Sequence, residues 1–161
     1  MSFDFSTLVT DRTQADVNRV KAIAKKISAG TASESELTEW NTATLKGSYN
    51  TTDLNRVGKA MKYVADQMNS FGYAVSISSK TDWVETDAPA LSDMALYLSN
   101  LAVLRNAFAV MQSTPKAPTD MEYLTVDEAN NIEKILVDID FLLAKSAQAW
   151  FYSGDVFTGE V

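Results

Sequence analysis

The sequence predicts a mainly α fold, a compact bundle of four to five helices with a minor short-strand element, in one domain over residues 1–161. Three observations carry that prediction. Five segments place apolar side chains at three- and four-residue intervals, the spacing that lines one face of a helix. Two of them open on a hydroxyl residue with glutamate three positions later, the reciprocal cap of a helix start. At 161 residues, 46% hydrophobic and 22% charged, the chain has the size and apolar content of one domain with a single core.

The first helix is expected from about Thr13 to Ser28, with Val17, Val20, Ala24 and Ile27 on one stripe and Gly30 placed to end it. In the second, Ser33 and Glu36 have capping-box spacing, so Glu34 to about Thr44 should be helical with Leu37 and Trp40 on an inward face. The third, from about Asp53 to Phe71, repeats Leu54, Val57, Met61, Val64, Met68 and Phe71 and stops at Gly72. Asn50-Thr51-Thr52 matches a glycosylation sequon and reads better as the caps of this helix. Gly58, inside it, costs about 1 kcal/mol relative to alanine and suits a close approach by another helix.

The fourth helix, about Ala90 to Met111, carries Leu98, Leu101 and Leu104 on one face and Leu96 and Val103 on another, as a central helix would. Two prolines in Ser113–Thr119 mark an exposed connection. The fifth begins at the box Thr125/Glu128, stripes Ile132, Ile135, Ile139, Leu143 and Trp150, and should reach about Phe151. Tyr73–Ser78 alternates like a half-buried strand; partners at Phe3–Phe5 or Asp155–Thr158 would make a tiny sheet, and mobile tails are the alternative. Residues 1–10 and 152–161 are expected as extended or partly mobile ends.

Composition excludes much. No histidine and no cysteine are present, which removes imidazole and thiolate catalysis, Ser-His-Asp triads, disulfides and Cys- or His-ligated metals. The net charge of −7 and pI near 4.5 disfavour nucleic acid and anionic membrane as partners. Ser99, Asn100, Arg105 and Asn106 interrupt the most apolar stretch, so a buried helix is expected rather than membrane insertion. Met1–Phe5 has no basic region ahead of an apolar run, so a mature start and cytoplasmic synthesis are expected. Residues 1–80 carry a net +2 and residues 81–161 a net −9. A solvated acidic face explains this, with pairing of the two halves or head-to-tail contact between copies as alternatives.

Carboxylates are the remaining acid–base candidates. Asp138 and Asp140 stand two apart on a helix, about 200° from each other, and with Glu128 and Glu133 read as solvent-facing acids. No EF-hand order, nucleotide-binding glycine motif or nucleophile elbow occurs, so no catalytic residue, cofactor or metal is assigned. Aromatic side chains are the better lead, since they anchor protein interfaces and stack on sugars. Trp40 and Trp150 fit core stripes. Trp83 is either a lid over the core or an exposed contact. Trp150, Phe151, Tyr152 and Phe157 crowd the end of the last helix, where they fold back on the monomer or meet another subunit. Trp83 and those four are the candidate interface.

Three stretches carry a resemblance: Thr10–Val17, then Leu45–Asn50 with Asp53–Val57, and Leu124–Asn130 leading to Trp150–Asp155. In that order they resemble a module of structural and tail-associated proteins from phages and prophages of gut Firmicutes. The resemblance spans nearly the whole chain and carries over no catalytic residue. It implies a non-enzymatic structural or accessory module, tail or baseplate associated, that self-associates or contacts other virion proteins. A surface glycan as ligand has no support beyond the aromatics. The alternative is a small intracellular regulator that captures a partner helix, and a remoter one is an enzyme using carboxylates alone.

Overall fold

The computed structural model describes residues 2–42 and 44–154, with side chains through Ala149. Among the described residues five α-helices follow a 3-10 turn: α1 (Gln14–Ser28), α2 (Glu34–Asn41), α3 (Thr51–Ser70), α4 (Leu91–Ala107) and α5 (Val126–Gly154). Local chemistry sets their starts. Thr13, Ser33 and Asn50 each accept the backbone N–H three residues on, while the carboxylates of Asp16, Glu36 and Asp53 accept from the caps' own N–H groups. Thr125 and Glu128 do the same for α5. At α4, Asp93 accepts from the Ala90 N–H at 2.8 Å, and alanine has nothing to return. Gly30 (φ 67°) and Gly72 (φ 87°) supply the left-handed residue that closes α1 and α3.

The central helix is α3, not α4. The helices α3, α4 and α5 all pack on one another, but α3 has nine buried residues and α4 five. α4 buries one stripe, Leu98, Leu101 and Leu104, and leaves Leu96 and Val103 exposed. It ends at Ala107, short of Met111, because Arg105 donates to the carbonyls of Thr114 and Pro115 and the chain turns back there.

α3, α4 and α5 run parallel. Leu54, Leu98 and Leu124 gather at one end; at the other, Tyr73 meets Phe108 edge-on at 5.2 Å and Phe71 shares a hollow with Leu143 and Ser146. Parallel neighbours require a return path of roughly 25–30 Å, which accounts for the long connections 71–90 and 108–125.

Asparagine side chains lay the first of these connections along the helices. Each carboxamide grips both the N–H and the C=O of one residue: Asn69 holds Val75, Asn100 holds Ser78 and Asn55 holds Trp83. Residues 75–83 thus descend α3 from its C-terminal toward its N-terminal end. This corrects the short strand expected at Tyr73–Ser78. No strand occurs among the described residues, because the backbone groups of Val75 and Ser78 bond to carboxamides instead of a neighbouring strand. Gly58 lies under the crossing: a Cβ there would stand 2.6 Å from the Lys80 carbonyl oxygen, so a loop rather than a helix makes the close approach.

The α1–α2 hairpin sits outside the core. Ile23 is the one fully buried residue of α1, and α2 has none. Leu37 and Trp40, expected to face inward, are 38% and 41% exposed, because α2 stops at Asn41 and spans only eight residues. Arg19–Glu39 and Lys26–Glu36 ion pairs join the two helices. Gly47 seats the hairpin: a Cβ there would lie 2.2 Å from the Asp16 backbone.

Residues 2–10, part of the end expected to be extended or mobile, include the 3-10 turn Phe5–Thr7 capped by Asp4. Phe3 and Phe5 pack against Tyr63 of α3. At the other terminus Leu143 is the last buried residue of α5 with a described side chain, and the helix runs eleven residues further to Gly154, about 16 Å. Among the described residues no helix is long and apolar enough to cross a membrane.

Candidate functional site

Charged side chains concentrate where the segment before α1 meets α3 and α5. Arg12 Nη2 lies 2.8 Å from Asp53 Oδ1 and 2.7 Å from Glu133 Oε1. Arg56 Nη2 lies 2.8 Å from the same Glu133 oxygen and also pairs with Asp53. Glu133 Oε2 accepts the Val9 N–H at 2.7 Å. Two guanidiniums and two carboxylates therefore neutralise one another away from water, and Glu133 is 0% exposed. The expectation that Glu133 and Asp138 face solvent is corrected. Glu133 falls beside Ile132 on the buried side of α5, and Asp138 is buried where it accepts from Thr114 Oγ1 at 2.9 Å and pairs with Lys134.

The cluster is fixed from several sides. Asn130 grips the backbone N–H and C=O of Arg12, both at 2.9 Å. The Arg12 guanidinium stands 5.3 Å from the centre of the Tyr49 ring, and the Tyr49 and Tyr97 hydroxyls share a 2.6 Å hydrogen bond. Burial pushes both phenols above their usual range. Asp140 is raised by burial alone. Among the described residues, Arg12 Nε and Trp83 Nε1 are buried without a hydrogen-bond partner.

Above this floor Tyr49 is the hub of three open grooves. One, of about 390 Å³, runs between Trp40, Leu45, Leu54 and Pro89. A second, of about 450 Å³ and more polar, separates Val17 and Lys21 of α1 from Asp127 at the start of α5. The third, of about 620 Å³, lies over Leu54, Met94 and Leu98 beside Leu124. Leu91, 80% exposed, edges the third groove, and Trp40 edges the first. The charged residues along the first and third are Glu85, Asp120 and Glu122, all acidic. Among the described residues no group of acids could hold a metal ion. The arrangement suits an apolar ligand surface with an acidic rim.

Of the sequence-predicted interface residues, Trp83 is buried at 8% exposure as a lid, its ring under the Lys80 ammonium at 4.1 Å. The side chains of Trp150, Phe151 and Tyr152, and Phe157 altogether, lie outside the described residues. Trp40, assigned to the core, is a groove wall. Tyr49 and Leu91 were not singled out by residue chemistry. Arg12, Tyr49, Asp53, Arg56, Leu124 and Asn130 come from four separate stretches of the chain that only the fold brings together. No protein-family model, no curated protein and no solved structure matches the chain.

Proposed function

We propose that the chain is a non-enzymatic structural or accessory module, of the prophage kind its sequence resembles, that works through protein–protein contacts at the grooves around Tyr49. On this reading it is made in the cytoplasm and carried into a virion. The observation that supports it best is the joined first and third grooves, apolar within and edged by exposed Trp40 and Leu91. The neutral cluster beneath braces that surface, since Arg12, Asp53, Arg56 and Glu133 spend their charges on one another. A carboxylate enzyme would want a raised acid facing a groove, and Asp140 lines none of these three. Capture of a partner helix by a monomer is the second reading, favoured by the third groove's volume of about 620 Å³ and its apolar floor of Leu54, Met94 and Leu98.

The test is a photo-crosslinking residue at position 91, with position 62 on the exposed face of α3 as control, in cells producing the protein. A discrete protein adduct from position 91, absent from position 62 and lost on Trp40→Glu, supports the contact reading. No adduct from position 91 overturns it.

A further inference from the structure

We infer that the small hollow beneath Trp83 is a hydration site, in which an ordered water accepts the indole Nε1–H and ties the Trp83 lid to α4. Among the described residues Trp83 Nε1 is buried without a hydrogen-bond partner, and it is the only polar atom of that side chain. Arg12 Nε shares the first property, but its guanidinium is held at both Nη atoms. The rest of Trp83 is fixed: Asn55 grips its backbone N–H and C=O, and the Lys80 ammonium covers its ring. A buried donor left unpaired forfeits its hydration with no return, so native structures satisfy nearly all such groups with protein or with ordered water.

The groups around the indole are already engaged. The polar lining of the hollow is Ser78, Ser79 and Lys80 from the connection and Asp93, Tyr97 and Asn100 from α4. Ser78 and Asn100 bond each other, Ser79 donates to the Gly58 carbonyl, Lys80 pairs with Asp87, the Tyr97 hydroxyl meets Tyr49, and Asp93 accepts from the Ala90 N–H. Their oxygens keep lone pairs, and a molecule that both accepts and donates can bridge them to Nε1. Size selects the occupant. The hollow holds about 50 Å³, above the roughly 10–15 Å³ that one water needs and far below the 390–620 Å³ of the grooves around Tyr49. Charge selects it too. Lys80 is neutralised by Asp87, so Asp93 leaves the lining acidic and unsuited to an anion, and an N–H donor is no ligand for a cation. Water is the neutral molecule of that size that takes the indole hydrogen bond and donates in turn to the Asp93 carboxylate, the strongest acceptor of the lining. Trp83 therefore seals residues 75–83 against α4 through a bound water as well as through its ring.

The experiment is oxygen-17 relaxation dispersion on the full chain, which reports waters that stay bound while the protein tumbles and is blind to labile hydroxyl protons. Trp83→Phe keeps an aromatic ring and removes the donor; Trp40→Phe, at a half-exposed wall of the first groove, is the control. Circular dichroism and melting check that both variants fold. The dispersion amplitude should drop by the share of about one water in Trp83→Phe and stay unchanged in Trp40→Phe. In the full chain the Trp83 indole proton, the resonance that Trp83→Phe removes, should give a direct Overhauser cross-peak to water. An equal amplitude in the full chain and Trp83→Phe, an equal drop in Trp40→Phe, or an indole proton without that cross-peak would each overturn the inference. Should Trp83→Phe fail to fold, the resonance is assigned by elimination with Trp40→Phe and Trp150→Phe, and the cross-peak alone decides.

Discussion

Val57, Met61, Leu101, Ile135 and Ile139 are completely buried where α3, α4 and α5 meet, and a neutral ion cluster sits among such side chains; α1 and α2 bury Ile23 alone and are joined by ion pairs whose basic partners are at least half exposed. Both regions use arginine–carboxylate pairs, yet the same bond differs in worth. At the surface, water screens Arg19–Glu39, and the pair contributes about 0–1 kcal/mol. In the core no water can replace a missing partner. Burial, not the count of ion pairs, decides which region sets global stability.

The sharpest way to break this contrast is Glu133→Ala, which strands two guanidiniums on Asp53 alone. It should lower the unfolding free energy by about 3–5 kcal/mol in urea titration. A loss under about 1 kcal/mol would mean that water reaches the cluster and that core and hairpin charges are alike. Next is Gly47→Ala, whose methyl collides with the Asp16 backbone and must lift α1 from the loop that seats it. A cost of about 1–3 kcal/mol is expected, with faster amide exchange in α1 and α2 and little change in α3. Equal acceleration in α3 would show that the two regions unfold as one.

These residues also explain what the sequence could and could not tell. Helix existence was legible because caps and stripes are local: Ser33/Glu36 and Thr125/Glu128 mark starts wherever the chain goes. What escaped was set at long range. Arg12 meets Glu133 from 121 positions away, and no local pattern marks either as buried. Val75 alternates with its neighbours like a strand residue, but Asn69 takes the bonds a sheet would have used. Trp40 has core spacing on a helix too short to carry a core. Periodicity reports that a face is apolar, not what covers it, and for that reason the Tyr49 grooves had no signature in residue chemistry.

Alkaline titration separates the regions more gently. The folded pKa values of Tyr49 and Tyr97 are raised by burial, so their contribution to stability is complete below the unfolded value near 10 and is lost as pH climbs past it. Urea midpoints should fall above pH 10, and the Tyr49→Phe/Tyr97→Phe double variant should fall less steeply from a lower starting point. Parallel slopes would place the alkaline loss elsewhere.

The smallest effect belongs to the hairpin. Lys26, then the Ser33 N–H, hold the Glu36 carboxyl down at about 2, so its contribution is present above the unfolded value near 4.5 and is lost as pH falls toward 2. The Lys26 ammonium is nevertheless half exposed, so salt screens its pair with Glu36 and the cap is what remains. Glu36→Gln should therefore leave the global urea midpoint nearly unmoved while speeding amide exchange in α2, and added salt should reproduce only the part due to Lys26. If the midpoint moved as far as it does for Glu133→Ala, α2 would belong to the cooperative core, and exposure would no longer separate the two kinds of ion pair.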